Sequence, residues 1–291
     1  MFPLESVPNF SEGRDGGTID AIGEALASEG ARLLDLHVDA DHNRSVFTLV
    51  GTEGELVAGL VAGVTCARER IDLRRHEGVH PRVGVADVVP LVPIRPGDME
   101  RAQAASLDLG ARLGGLGLPV FLYGGPDRGA AFFRRGGPGA LQARIDAGEL
   151  VPDFGPSRLD PSAGAVLVGA RRPLIAFNVN LRSDDVEVAR AIAAVVREAG
   201  GGFPCVRALG LDLPSAGLVQ VSMNVEDWEA APLHEIVERI VEEAEARGVD
   251  VAGSELVGLM PAGAAVAAAG AMLEIDDFDE SRVLELRLLD D

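Results

Sequence analysis

The feature that most constrains the fold is a pattern that occurs twice along the chain. From Arg172 to Leu181 the residues alternate, with Ile175, Phe177, Val179 and Leu181 on one face, which predicts a strand. Ser183-Asp184-Asp185 supplies a helix start with acidic residues in its first turn. Val188, Ile192, Val195 and Val196 form the apolar stripe of that helix, and Gly200-Gly201-Gly202 stops it. Two strands follow, over about 206–213 and 218–225, joined by Pro214-Ser215-Ala216-Gly217. A second helix carries Leu233, Ile236, Val237, Ile240, Val241 and Ala244 at helical spacing, ends at Gly248, and leads into a last strand over 249–256. The order is β-α-β-β-α-β, the split unit of ferredoxin-like folds.

The first half repeats this order. A strand is expected over 4–10, a helix over 18–28, a hairpin of 33–39 with 45–50, a helix over 53–70 and a strand over 83–92. Val7-Pro8-Asn9-Phe10 pairs with Phe177-Asn178-Val179-Asn180, which supports a duplication. The fold class expected is therefore α+β, two duplicated ferredoxin-like subdomains with boundaries at 1–171 and 172–291. A connecting region contributes a helix over 99–113, a strand over 119–123, a Gly/Arg-rich loop over 124–139, a short helix over 141–147 and a second loop reaching Gly164. Loops of this length and composition are expected to line a site. An alanine-rich helix after Pro261 and an acidic tail close the chain.

The copies differ in one place. In the second, Gly248 runs straight into the last strand; in the first, about ten residues from Asp72 to Pro81 intervene ahead of it. This insertion contains His76-Glu77-Gly78-Val79-His80, the spacing of a zinc hydrolase motif, which requires both imidazoles on one helix face. Gly78 lies inside the supposed turn, and His80 precedes Pro81, which drives a residue out of the helical region. No third ligand follows, so the residues themselves disfavour zinc, and no metal is expected. Two readings of His80 stay open: a general acid/base kept neutral by neighbouring arginines, or a residue that merely caps its loop. Asp35, Asp39 and Asp41, with His37, His42, Asn43 and Arg44, crowd the end of the first hairpin. One carboxylate there can orient an imidazole, or all can be solvated turn residues. Asn178, Asn180 and Asn224 occupy the more polar faces of their strands.

Composition narrows the partners. With 291 residues and 47% hydrophobic content the chain can bury a large core. A net charge of −20 opposes nucleic-acid binding. All 26 basic residues are arginines, which removes Schiff-base chemistry and the phosphate-gripping lysine of a P-loop and makes any anionic ligand a guanidinium client. No apolar run approaches a membrane span, the first residues lack the pattern of a secretory signal, and Cys66 and Cys205 read as free thiols; a cytoplasmic protein is expected.

The chain resembles the formiminotransferase domain, which also forms the first part of bifunctional formimidoyltransferase-cyclodeaminases. The resemblance rests on Val7-Pro8-Asn9-Phe10-Ser11-Glu12-Gly13, Asn43-Arg44-Ser45-Val46-Phe47-Thr48, His80-Pro81-Arg82 with Gly84 and Asp87, and Leu122-Tyr123-Gly124. It continues through Pro152-Asp153-Phe154-Gly155-Pro156-Ser157, Ile175-Ala176-Phe177-Asn178-Val179-Asn180-Leu181, Gln220-Val221-Ser222-Met223-Asn224 and Gly253-Ser254-Glu255-Leu256-Val257-Gly258-Leu259. The segments are collinear over about 4–262.

The resemblance implies two ferredoxin-like subdomains with a substrate tunnel between them. It implies transfer of a formimino group from N-formimino-L-glutamate to N5 of tetrahydrofolate, a folate co-substrate rather than a resident cofactor. Formyl transfer between 5-formyltetrahydrofolate and glutamate is the alternative within the class, and a zinc-dependent hydrolase the alternative outside it. The family's catalytic histidine falls on His80, which leaves His76 incidental, and its acidic partner falls on Asp39, with Asp41 as rival. Its folate-binding segment falls on Gly155, Pro156, Ser157, Arg158, Leu159, Asp160, Pro161, Ser162, Ala163 and Gly164. Because both substrates carry carboxylates, Arg82, Arg134 and Arg135 are expected to bind them, with Asn178 facing the same cleft. The resemblance further implies a homodimer and, since the helical cyclodeaminase domain does not follow, a separate cyclodeaminase as a functional partner.

Overall fold

A computed structural model describes residues 2–124 and 128–287. The chain divides into two compact units, Met1–Arg172 and Pro173–Asp291. It is a mixed α+β structure in which each unit has a sheet of its own.

The first unit begins with β1 (Leu4–Ser6) and β2 (Asn9–Phe10), followed by α1 (Gly16–Ala27), β3 (Arg32–Asp39), β4 (Arg44–Gly51) and α2 (Glu53–Arg70). It continues with β5 (Ala86–Pro93), α3 (Met99–Gly115), β6 (Val120–Leu122), α4 (Ala130–Arg134), α5 (Gly137–Asp146) and β7 (Val166–Ala170). The strand expected over 4–10 is broken at Pro8, which has no N–H to give the ladder; the Pro8 carbonyl accepts from Phe47 N instead. Both pieces lie between β4 and β5, antiparallel to each. The sheet order is β3-β4-(β1, β2)-β5-β7-β6, with β5, β7 and β6 parallel.

Helix α2 shows how local chemistry and packing agree. Thr52 and Glu55 form a capping box, with Glu55 Oε2 accepting from Thr52 N at 2.8 Å and Thr52 Oγ1 from Glu55 N at 3.4 Å. Its buried face runs through Leu56, Leu60 and Val64, interleaved with Gly59 and Gly63. These glycines let α1 lie close: a Cβ at Gly59 would meet the Leu26 carbonyl, and one at Gly63 the Leu26 side chain. Leu26 itself is fully buried in a core with Phe10, Ile22, Phe47 and Leu60.

Three elements depart from expectation. The last strand of the first copy starts at Ala86 rather than Val83, because Val83 to Val85 are spent on cross-loop bonds to Ala163 and Ala165. The glycine/arginine loop contains the short helix α4, while its residues 125–127 lie outside the described residues. Strand β7 was not anticipated: Val166, Leu167 and Val168 form a short continuous apolar run, as a strand covered on both faces has, and carry no alternation to betray it.

The second unit contains β8 (Ile175–Leu181), α6 (Val186–Val196), β9 (Val206–Leu213), β10 (Leu218–Val225), α7 (Leu233–Glu245), β11 (Val251–Val257), α8 (Ala262–Leu273) and α9 (Leu284–Arg287). Its sheet order is β11-β8-β10-β9, antiparallel throughout. Alternation along β8 and β10 sends Val179, Leu181, Val219 and Val221 into a core with Ile192, Ile236 and Ile240. Cys66 and Cys205 are free thiols, and among the described residues no helix is long and apolar enough to cross a membrane.

Candidate active site around His80

The site is built where three loops of the first unit meet: the turn after β1 and β2, the β3–β4 hairpin turn, and the insertion ahead of β5. Asn43 joins them. Its Oδ1 accepts from Gly13 N at 2.9 Å and its Nδ2 donates to the Glu77 carbonyl at 2.8 Å. It does so from φ +48, a left-handed conformation that asparagine tolerates better than most residues. Asp39 shapes the same turn, with Oδ1 accepting from His42 N at 2.7 Å and Oδ2 lying 3.8 Å from His42 Nδ1.

The insertion is not helical from His76 to Arg82, as Gly78 and Pro81 required, so His76 and His80 do not share a helix face. His76 is far from incidental. Its Nε2 lies 3.0 Å from the Asn43 carbonyl and its Nδ1 2.5 Å from Arg82 Nη1. Since a guanidinium only donates, Nδ1 carries the lone pair and Nε2–H donates to Asn43. Burial, then the Arg82 charge, holds its pKa below the ordinary histidine value. Arg82 closes the loop on itself, donating through Nη2 to the carbonyls of Gly78 at 2.6 Å and His80 at 2.8 Å.

His80 is thereby set in place with its Nε2 2.9 Å from Arg44 Nη1 and its ring 5.8 Å from that of His42, tilted by 36°. The same donor-only logic makes Nε2 an acceptor, so His80 is the neutral Nδ1–H tautomer. Burial is the largest influence on it, followed by the charges of Arg44 and Arg134 and by His42, and together they push its pKa well below the ordinary value. Asp87 is 2% exposed. Its Oδ1 accepts from Val83 N at 2.7 Å and its Oδ2 is 2.5 Å from Arg134 Nη2. Helix α4 delivers Arg134 to this pair, while Arg135 beside it is exposed. Phe10, Ser11, His42, Asn43, Arg44, His80, Arg82 and Asp87 line one small cavity.

Residues 155–164 attach directly to this assembly. Leu73 N donates to the Ser162 carbonyl at 2.9 Å, Val85 N to Ala163 at 2.9 Å and Ala165 N to Val83 at 3.0 Å. Gly164, at φ +73, sits so close to Val83 and Gly84 that a Cβ would strike the Val83 carbonyl. Asp160 Oδ1 holds Ser162 N at 2.9 Å and Ser162 Oγ at 2.7 Å, and Leu159 N donates to Gln142 Oε1 at 2.7 Å. The segment is thus anchored at its C-terminal end, while Gly155 to Arg158 are exposed. Pro156 and Pro161 are exposed as well.

In the second unit Asn178 is 3% exposed and its Nδ2 donates to Glu255 Oε2 at 2.9 Å. Gln220 Nε2 donates to Asn180 Oδ1 at 3.0 Å on the same sheet face. Sequence reasoning singled out His80, Asp39, Arg82 and Arg134 but not Arg44, His42 or Asp87 as site residues. The signals were present: Arg44 lies in the Asn43-Arg44-Ser45-Val46 segment, and Asp87 ends the His80-Pro81-Arg82 motif.

Comparison with known proteins gives the family. The family model described as the formiminotransferase domain, N-terminal subdomain, matches residues 3–171, and that of the formiminotransferase domain matches residues 176–283. The chain is 40% identical to a glutamate formimidoyltransferase of Streptococcus pyogenes serotype M1, covering 98% of each. It is 40% identical to a glutamate formimidoyltransferase of Thermoplasma acidophilum, covering 99% of this chain and 98% of the relative. A formimidoyltransferase-cyclodeaminase of Sus scrofa is also 40% identical, over 96% of this chain and 55% of that longer protein. With both halves of the chain matched and the matches running nearly end to end, the chain belongs to the formiminotransferase domain family.

Proposed function

We propose that this protein is a one-carbon transferase that moves the formimino group of N-formimino-L-glutamate to N5 of tetrahydrofolate, giving 5-formiminotetrahydrofolate and L-glutamate. The observation that carries the reading is the neutral tautomer of His80, with a lone pair on Nε2 in a site hydrogen-bonded to segment 155–164. The N5 lone pair attacks the amidine carbon and a tetrahedral intermediate forms. His80 Nε2 takes the N5 proton and returns a proton to the glutamate nitrogen as its bond to carbon breaks, so the base is regenerated. Such a base contributes about 10²- to 10⁴-fold.

Within this reading Asp39 acts on the site through His42, whose amide and ring it touches, rather than on His80 directly. Asp41 remains its rival; its carbonyl accepts from Val79 N at 3.1 Å. Gly155 to Gly164 bind folate through the exposed first half of the segment. Arg134 supplies positive potential while ion-paired to Asp87, Arg82 braces the His80 loop, and Arg135 is available to a carboxylate at the surface. Asn178 offers an amide on the second unit. The duplicated ferredoxin-like architecture belongs to the same proposal; its support is the matching order of strands 2-3-1-4 in β3-β4-(β1, β2)-β5 and in β9-β10-β8-β11. So do a cytoplasmic setting, a homodimer and a separate cyclodeaminase that consumes the product.

A transfer assay with both co-substrates tests the reading. His80→Ala is expected to lower kcat by about 10²-fold or more while the protein stays folded. Full activity in that variant would sink the mechanism. A chelator is expected to leave the wild-type rate unchanged, because both nitrogens of His76 are already engaged by Arg82 and the Asn43 carbonyl.

A further inference from the structure

Arg82 is the clasp of the loop that carries His80. Its Nη2 donates to the carbonyls of Gly78 at 2.6 Å and His80 at 2.8 Å, and its Nη1 lies 2.5 Å from His76 Nδ1. One guanidinium thus closes residues 76–82 on themselves, with His76 at one end and Arg82 at the other. The closed loop lies against the hairpin turn: Val79 N donates to the Asp41 carbonyl at 3.1 Å, and a Cβ at Gly78 would strike the His42 carbonyl. His76 fastens both parts, since its Nε2–H donates to the Asn43 carbonyl while its Nδ1 receives Arg82. Of the three acceptors that Arg82 meets in this loop, two are carbonyls, which keep their lone pairs at any ordinary pH. His76 is the one that can take up a proton there.

We propose that His76 is a positioning residue whose unprotonated Nδ1 holds Arg82 on the His80 loop, and that a proton on Nδ1 unfastens the loop and withdraws the base. The inference rests on the formimino-transfer reading and adds to it a second histidine and an acid limit. Protonation turns the acceptor into a donor and sets an imidazolium against a guanidinium at the same contact, so Nη1 must leave. Nη2 shares the same rigid plane and leaves the Gly78 and His80 carbonyls with it. The charged groups facing His76 are Arg82 from its own loop and Glu12 and Arg14 from the turn after β2, while the hairpin turn presents the Asn43 carbonyl. Those facing His80 are Arg44, Arg134 and His42, and with burial they hold it further below the ordinary histidine value than His76 is held. His76 therefore meets the first proton as the pH falls. Opening then lets water reach His80, the hold of burial weakens, and the second proton follows. Acid silences the site at the clasp before it reaches the base.

The test uses the full chain, ¹⁵N-labelled, in two measurements. In the first, the His76 ring is followed by NMR and the exchange protection of the Val79 and Val83 amides is read beside it; these donate to the Asp41 carbonyl and to Asp87 Oδ1. His76 is expected as the Nε2–H tautomer at neutral pH. As it titrates below about pH 6.5, protection at Val79 and Val83 is expected to fall about tenfold or more, while the core amide of Phe47 holds. His76→Asn keeps an acceptor near the Nδ1 position and has nothing to protonate, so its loop amides are expected to stay protected over the same range. In the second, the transfer assay, log kcat/KM of the wild type is expected to fall on the acid side with a slope approaching two, and that of His76→Asn with a slope of about one. His76→Leu, which offers Arg82 no acceptor, is expected to lower kcat at pH 7 by about tenfold to a hundredfold with both KM values nearly unmoved, a loss that His76→Asn in part restores. Loop amides indifferent to the His76 titration, or the same acid slope in the wild type and a folded His76→Asn, overturn the inference. If His76→Asn does not fold, the wild-type titration and exchange decide alone. If the wild type transfers no formimino group, the functional reading fails, while the exchange measurement still decides the clasp.

Discussion

At the scale of single residues, the site is held by backbone-directed side chains more than by ion pairs. Asn43 ties two loops together from a left-handed conformation, so Asn43→Ala loses two hydrogen bonds and keeps the conformational cost. It is expected to destabilise the protein by about 2–4 kcal/mol in urea unfolding, with Asn43→Gly milder because glycine adopts that conformation freely. The two histidines of the insertion give a signed pH dependence. Both have folded pKa values below the ordinary value, through burial first and then neighbouring arginines. Below about pH 6.5 the unfolded chain therefore takes up protons that the folded chain refuses. Their contribution to stability is complete above that pH and falls away as the pH drops toward the folded values. Urea midpoints for wild type are expected to decrease between about pH 7 and pH 5.5, and His76→Gln to flatten part of that slope. His80 was marked out in the sequence by its place before Pro81 in an arginine-rich insertion, while its assignment as the base came from the resemblance. Arg44 and Asp87 were not, because one lies on a strand pattern and the other at a strand start. Only the folded hairpin brings the Arg44 guanidinium, thirty-six positions away, to His80.

At the scale of elements, packing decides where propensity alone would mislead. Helix α2 contains glycines of two kinds. Gly54 has open space around a built Cβ, whereas one at Gly59 would collide with the Leu26 carbonyl. Gly54→Ala is expected to stabilise by up to about 1 kcal/mol, the ordinary gain of alanine in a helix. Gly59→Ala is expected to destabilise by about 1–3 kcal/mol despite the same gain, since α1 must move away. Thermal unfolding of the two variants should therefore shift in opposite directions. The long amphipathic helices and the hairpins were legible because periodicity and caps agree there. Helix α4 was not, since five residues between glycines show no stripe, and β7 was not, since a strand covered on both faces has no alternation. These two elements matter to the site: α4 carries Arg134, and the chain leading into β7 is the C-terminal end of segment 155–164.

At the scale of the whole molecule, a net charge of −20 surrounds a site whose local field is set by Arg44, Arg82 and Arg134. Self-repulsion of the acidic surface opposes compactness, so added salt is expected to raise the thermal midpoint from its low-salt value. The same salt is expected to weaken binding of the dicarboxylate donor at its arginines, which separates surface from site in paired melting and kinetic titrations. Strand β5 carries a consequence of another kind. It pairs on one side with the start of the chain, Leu4 opposite Pro93, and on the other with a strand far downstream, Val88 opposite Leu167. During synthesis one flank of a Val- and Leu-rich strand therefore stays uncovered until β7 has left the ribosome, an interval in which a stranger strand can add to it. The Leu91 carbonyl points to that flank, and Pro93, two residues on and lacking an amide hydrogen, removes a donor that such a strand would need. Pro93 thus guards the nascent chain as much as it shapes the finished sheet.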